Sequence, residues 1–127
     1  MSIGLLLITH NNIGAELLDT AEAMLGYCPL QAKAMAIKPD CDPEQQRQRA
    51  KVMIEELDQG EGVLLMTDIY GSTPSNIACS MVSEGRVSVV AGVNLPMLVR
   101  VLNYPHMDLA ALTEKAESGA HIGVRIC

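Results

Sequence analysis

Short apolar runs alternate along the chain with longer stretches in which apolar residues recur at helical spacing. The first run, Ile3 to Ile8, has the length of a strand, and a helical pattern follows from about Ile13 to Leu25, ending at Gly26. The same alternation continues to the end of the chain. It predicts further strands at Ala32 to Ile37, Val63 to Thr67 and Val87 to Val93, and further helices from Asp42 to about Leu57, from Thr73 to about Gly85, from about Met97 to Leu102 and from Asp108 to Glu117.

This order of elements predicts an α/β fold with one domain over residues 1–127. The length of 127 residues fits the roughly 100–200 residues of a typical domain. We expect an open, mainly parallel sheet in the order 2-1-3-4 with helices on both faces, since right-handed crossovers leave few alternatives. The segment His121 to Ile126 is interpreted as an additional antiparallel strand, at an edge or exchanged in a dimer.

Two polar side chains follow the first and third apolar strands. His10 stands where the first strand ends, and Asp68 follows the strand that ends at Thr67. If these strands are neighbours, both side chains lie at the carboxyl edge of the sheet, where open α/β folds place their chemistry. A carboxylate that accepts a hydrogen bond from one imidazole nitrogen leaves the other nitrogen as a nucleophile.

A loop of small residues after Asp68 leads into the third helix. Its residues Gly71, Ser72 and Thr73 are followed by Pro74, and we predict that Thr73 caps the helix and Pro74 opens it. Amides and hydroxyls at a helix start favour an anion. Transfer of a phosphoryl group depends mainly on positioning and charge stabilisation. We therefore treat these three residues, together with Thr9 beside His10, as candidate phosphoryl-binding residues.

Composition and charge exclude several other functions. The net charge of −6 argues against nucleic acid or an anionic membrane as a partner, and a chain with three Tyr and neither Phe nor Trp offers little for base stacking. The histidines and cysteines show no metal-ligand spacing, so we expect neither a metal nor a cofactor, and a metal site is only a minor alternative. His106 and His121 lie outside any motif and are interpreted as surface or interface residues.

The location is predicted from the cysteines and the apolar runs. The four cysteines lack CxxC spacing and the N-terminus lacks the pattern of a secretory signal, which favours reduced thiols in the cytoplasm. The apolar runs are far shorter than the roughly 20 residues of a membrane-spanning helix.

Three motifs carry a resemblance to a known family. Residues Ile8 to Gly14 (ITHNNIG), Thr67 to Asn76 (TDIYGSTPSN) and Ala91 to Leu98 (AGVNLPML) together resemble the IIA component of the mannose family in the bacterial phosphoenolpyruvate:sugar phosphotransferase system. Their order and separations match the family, and the resemblance covers essentially the whole chain.

The resemblance implies a cytoplasmic, homodimeric phosphocarrier whose four-stranded parallel sheet gains an antiparallel strand across the dimer. His10 would take a phosphoryl group from the protein HPr and pass it to a IIB protein, while Asp68 would orient the ring so that Nε2 carries the phosphoryl group. Where the family commonly has Gly-Gly-Ser-Pro, this chain has Gly71-Ser72-Thr73-Pro74. Thr73 therefore takes the hydroxyl position, and Ser72 replaces a glycine.

The partners and the biological role leave alternatives open. The sequence ends at Cys127 without a IIB domain, so we expect a separate IIB protein, and a peripheral association with a IIC/IID permease is compatible with the family. One alternative is a regulatory sensor of phosphorylation state in an incomplete phosphotransferase system. Another is the phosphocarrier of a dihydroxyacetone kinase system, which shares the fold.

Overall fold

Strands and helices alternate through residues 2–127, the part of the chain that the computed structural model describes. The elements are, in order, β1 (Gly4–His10), α1 (Ile13–Leu25), β2 (Ala32–Ile37), α2 (Pro43–Leu57), β3 (Val63–Thr67), α3 (Thr73–Cys79), β4 (Val87–Ala91), α4 (Leu95–Leu102) and α5 (Leu109–Ile122).

The four strands form one parallel sheet in the order β2-β1-β3-β4, which confirms the predicted order. In the register, Ile8 of β1 pairs with Thr67 of β3, and Thr67 pairs with Ala91 of β4. The connections that leave β1 and β3 lead to opposite sides of the sheet, to β2 and to β4. The gap between β1 and β3 is therefore the topological switch point, where open α/β sheets form their crevice. The residues that follow β1 and β3 therefore meet at one edge.

Helices cover both faces of the sheet, so the central strands are buried on both sides. This explains why β1 and β3 are continuous apolar runs in the sequence and do not alternate with polar residues. One side of the core packs α1, α4 and α5 against the sheet, and the other packs α2 and α3. Fully buried side chains on the two sides include Leu5, Leu7, Leu64, Met66, Leu98 and Leu112 on the first, and Leu6, Ile8, Leu65, Ile77, Ala50 and Ala78 on the second.

The boundaries of β4 and α4 differ from the prediction. β4 ends at Ala91 and does not reach Val93, because Gly92 takes a positive φ of 85° and turns the chain. α4 begins at Leu95, two residues earlier than predicted, since Asn94 caps the helix by accepting a hydrogen bond from the Met97 N–H at 2.9 Å.

The third helix is much shorter than predicted. α3 ends at Cys79 and does not continue to Gly85, so Met81 and Val82 lie beyond it. The Met81 N–H already bonds three residues back to Ala78, and Ser83 then pairs with Val87 in an isolated antiparallel bridge. A residue paired in this bridge cannot also continue α3, so the helix does not extend to Ser83.

The end of the chain also departs from the prediction. α5 continues to Ile122, so His121 and Ile122 are helical and the predicted strand from His121 to Ile126 does not form in the single chain; residues 123–127 have no regular secondary structure. Close packing on α4 favours the longer helix: a Cβ atom at Gly119 would lie 2.8 Å from the Arg100 Cβ. Among the described helices, none combines the length and apolar character that a membrane crossing requires.

Candidate functional site

His10 and Asp68 meet at the carboxyl edge of the sheet although 58 residues separate them in sequence. The Asp68 Oδ2 atom lies 2.8 Å from the His10 Nδ1 atom and also accepts the main-chain N–H of His10 at 2.8 Å. The second carboxylate oxygen, Oδ1, accepts the N–H of Ile69 at 2.9 Å. The structure therefore brings together the two residues that the sequence placed at adjacent strand ends, and it fixes the carboxylate through both of its oxygens.

The ionisation of Asp68 determines which ring nitrogen of His10 carries the proton. Burial raises the pKa of Asp68, but the hydrogen bonds that it accepts from His10 and Ile69 outweigh burial, and the net pKa lies below the ordinary value. The group is therefore a carboxylate at neutral pH and can only accept hydrogen bonds. Since Nδ1 must then be the donor, a neutral His10 ring has its free lone pair on Nε2.

The two side chains differ in their access to solvent. The His10 side chain is 42% exposed, whereas that of Asp68 is 11% exposed. The Asp68 carboxylate is thus largely buried, while the His10 imidazole ring is accessible to another molecule. This combination suits a nucleophile that must contact a group carried by a second protein.

Asn11 shapes the turn that follows His10. It is the one residue other than glycine with a positive φ among the described residues, at 48°. Asparagine tolerates this left-handed conformation better than most side chains. Its N–H donates to the Ile37 carbonyl at 3.0 Å, so β1 stays attached to β2 until just after His10. An Asn-Asn pair after a strand is a turn signal, and this signal could have identified Asn11 from the sequence.

The loop from Gly71 to Thr73 follows the site directly. Ser72 occupies the N-cap position of α3, and its hydroxyl donates to the Ile69 carbonyl at 2.5 Å. Thr73, which we predicted to be the cap, is instead the first helical residue, and it is exposed. The Gly71 N–H donates to the hydroxyl of Ser75 at 3.2 Å. The buried Ser75 was missed by sequence reasoning, because a serine one turn into a helix carries no distinctive signal.

Thr9 has a structural role in this arrangement. Its side chain is fully buried, and its hydroxyl oxygen accepts the N–H of Gly14 at 2.9 Å, at the start of α1. The hydroxyl also donates to the His10 carbonyl at 3.3 Å, so Thr9 ties the end of β1 to the helix that follows it. A contact of Thr9 with a phosphoryl group stays a prediction.

The remaining candidate residues lie outside this pair. His121 is in the last turn of α5 and His106 is in the connection between α4 and α5. Within residues 2–127, no group of three or more His, Cys, Asp or Glu side chains is arranged to hold a metal ion. All four cysteines are free thiols.

Comparison with known proteins identifies the family. The EIIA-man family model, described as the PTS system fructose IIA component, matches residues 4–117. The chain is 33% identical over 103 residues to the mannose-specific EIIAB component of the phosphotransferase system (PTS) of Escherichia coli K12, an alignment that covers 80% of this chain and 32% of that protein. The chain thus spans about a third of the length of this relative.

A shorter relative and a solved structure agree with this match. The fructose-specific EIIA component of Bacillus subtilis is 33% identical over 76 residues, covering 58% of this chain and 52% of that protein. The mannose/sorbose-specific IIA subunit from Enterococcus faecalis has the same fold, with a TM-score of 0.86, 21% identity and coverage of 100% of this chain and 96% of that one. The chain belongs to the mannose-type EIIA family of the phosphotransferase system.

Proposed function

We propose that the chain is a phosphohistidine phosphocarrier: His10 accepts a phosphoryl group from phospho-HPr and passes it to a IIB protein. The observation that carries this proposal is the 2.8 Å contact between His10 Nδ1 and a sheltered carboxylate, with the rest of the ring open to solvent. Membership of the EIIA family supports the donor and the acceptor. The matched family does not favour the regulatory sensor or the dihydroxyacetone kinase carrier.

The transfer step follows from the protonation of the pair. The Nε2 lone pair of neutral His10 attacks the phosphorus atom of the donor phosphohistidine, the new N–P bond forms, and the N–P bond of the donor breaks. The electron pair of the broken bond stays on the donor ring nitrogen, and the His10 ring becomes positively charged. The Asp68 carboxylate stabilises this charge through the Nδ1–H hydrogen bond, which strengthens as the ring loses electron density.

The phosphoryl oxygens need donors on the side of the ring that faces solvent. We assign this role to the exposed loop at Gly71, Ser72 and Thr73, with Thr73 as the side chain that contributes its hydroxyl. Ser72 is the weaker candidate, because its hydroxyl already donates to the Ile69 carbonyl. Amides at the start of α3 add to the attraction for an anion.

We also propose a cytoplasmic homodimer that associates peripherally with a IIC/IID permease. The outer edge of β4 has no neighbouring strand within the described residues, and Val124 and Ile126 beyond α5 are exposed. A tail with alternating apolar residues that pairs with the β4 edge of a second subunit would cover both features.

A labelling experiment tests the carrier function. The protein is incubated with phosphoenolpyruvate carrying labelled phosphate, enzyme I and HPr, and the variant His10→Gln is compared with His121→Gln as a control. We expect about one acid-labile label per chain in the wild type and in His121→Gln, and none in His10→Gln. Full labelling of a folded His10→Gln protein would refute the assignment of His10.

Transfer from the labelled protein separates the alternatives. The phosphorylated protein is mixed with IIB proteins and, in parallel, with the core subunits of dihydroxyacetone kinase. Loss of label to a IIB protein supports the proposed carrier. Retention of label with altered binding supports a sensor, and loss of label only to the kinase subunits supports the other carrier.

A further inference from the structure

Gly92 follows β4 directly and adopts a left-handed backbone conformation, with φ at 85°. A Cβ atom built at this position would have no heavy atom within 4 Å beyond Gly92 itself and its two chain neighbours. The position therefore requires glycine because of its backbone conformation and not because of limited space.

The turn at Gly92 aims two successive N–H groups at β3. The Gly92 N–H donates to the carbonyl of Asp68 at 2.7 Å, and the Val93 N–H donates to the carbonyl of Thr67 at 2.9 Å. Successive N–H groups of a regular strand point to opposite sides, so a regular extension of β4 would present only one of them to β3. The left-handed residue makes both hydrogen bonds available.

These two bonds hold the peptide groups on either side of the Asp68 Cα atom. The carboxylate of the same residue is held by His10 and Ile69. The main chain of Asp68 is thus held by the residues that follow β4, whereas its side chain is held by His10 of β1 and by the next residue, Ile69. A rotation of either peptide group would move the carboxylate away from the His10 ring.

The segment that carries Gly92 is itself anchored on its far side. Asn94 caps α4, and its side-chain amide donates to the Ala120 carbonyl of α5 at 3.2 Å. The turn is therefore tied to both α4 and α5, and it can serve as a fixed support for Asp68.

We propose that Gly92 is a positioning residue for the His10–Asp68 pair, and that its left-handed conformation holds the Asp68 main chain where the carboxylate reaches His10 Nδ1. The inference rests on the proposed phosphocarrier function, and it adds a residue that acts only through Asp68. It assigns to the AGVN segment a role in the chemistry of a site formed by β1 and β3.

Substitution by alanine tests this role, because the chain offers a matched control. Gly26 also has φ at 85° and also has no atom within 4 Å of a built Cβ, but it ends α1 at the opposite edge of the sheet. Gly92→Ala and Gly26→Ala therefore both place an alanine at a left-handed φ of 85°. Gly92→Asn is the conservative variant, since asparagine accepts the left-handed conformation more readily than alanine.

Two measurements are made on each variant: the single-turnover rate of phosphoryl transfer from phospho-HPr, and the ¹⁵N NMR signals of the unphosphorylated His10 ring, which report the tautomer. We expect both alanine variants to lower the thermal midpoint to a similar extent. Only Gly92→Ala should slow transfer, by roughly tenfold or more, and reduce the population with the proton on Nδ1. Gly92→Asn should recover most of the rate.

Equal rates and equal tautomer signals in Gly92→Ala and Gly26→Ala would overturn the inference. If Gly92→Ala does not fold, Gly92→Asn and Gly26→Asn provide the same comparison. If the wild type accepts no phosphoryl group, the phosphocarrier function fails instead, and the tautomer signals of the unphosphorylated variants still decide whether Gly92 positions the pair.

Discussion

Replacement of Asp68 provides the most direct test of how the site works, and a graded series separates charge from shape. Asp68→Asn keeps the size of the side chain and an oxygen that can accept the hydrogen bonds from His10, but it removes the negative charge. Asp68→Ala removes the acceptor altogether. Both changes affect a carboxylate that is 11% exposed and is therefore little screened by solvent.

The magnitudes follow from the hydrogen bond between Asp68 Oδ2 and His10 Nδ1. A hydrogen bond to a charged group contributes about 1.5–3 kcal/mol and a neutral one about 0.5–1.5 kcal/mol. Only the part that is stronger in the transition state, where the ring gains charge, affects the rate. Asp68→Asn should therefore raise the barrier by about 1–2 kcal/mol and slow transfer by roughly five- to thirtyfold. Asp68→Ala should slow transfer by roughly ten- to a hundredfold.

The assay is a single-turnover quench-flow measurement of label transfer from phospho-HPr to each variant. Asp58→Asn is the control, because the Asp58 carboxylate is also largely buried and also accepts main-chain N–H groups, from Gly60 and Gly62. It lies away from the site and forms an ion pair with Arg86. We expect its transfer rate to match the wild type. Wild-type rates in both Asp68 variants would show that the carboxylate only supports the fold, and a rate in Asp68→Asn below that of Asp68→Ala would contradict the charge argument.

Four further predictions concern the surroundings of the pair. Because the pKa of Asp68 is lowered in the folded state, the ionised carboxylate contributes its full stabilisation above the unfolded-state pKa of about 3.9. This stabilisation is lost as the pH falls through the lower folded-state pKa. The free energy of unfolding of Asp68→Asn should therefore depend less on pH in this acidic range than that of the wild type. Asn11→Val should slow transfer more than Asn11→Gly, because a β-branched residue resists the φ of 48°, and equal rates would argue against this reason. Thr9→Val should lower the free energy of unfolding by about 1 kcal/mol, since the Gly14 N–H loses its partner, and labelling at saturating HPr should match the wild type; a labelling defect would support Thr9 as a phosphoryl-binding residue. Gly119→Val should lower the thermal midpoint strongly, because even a Cβ there would lie 2.8 Å from the Arg100 Cβ, and an unchanged midpoint would show that α5 can move away from α4.

The hydrophobic pattern was sufficient to predict the sheet and the meeting of His10 with Asp68. Both residues follow strands that are buried on both faces, and such strands are recognisable because their apolar runs are continuous. Once β1 and β3 are neighbours, the shared edge follows from parallel pairing. The local interactions that position these residues within a few tenths of an ångström do not follow from the pattern.

The end of the chain shows where pattern reasoning fails. The segment from His121 to Ile126 was interpreted as a strand, but α5 continues to Ile122. The deciding contacts are tertiary: Gly119 and Gly123 let α5 lie close to Arg100 and Pro96 of α4. Glycines near a helix end are typical of termination, whereas here they allow the close packing that carries α5 past the predicted end at Glu117.

Three residues around the site share a conformation and a position relative to the strands. Asn11, Gly71 and Gly92 all have positive φ, and each comes within four residues of the end of β1, β3 or β4. At this end of the sheet the chain must leave the regular strand conformation within one or two residues, and its buried N–H and carbonyl groups must still find hydrogen-bond partners. A left-handed residue achieves this by redirecting the next peptide group, and at Gly92 the redirected groups bond to the residue that orients the histidine. The chemistry of the site therefore depends on main-chain geometry contributed by three strands, although only two of them supply its reactive side chains.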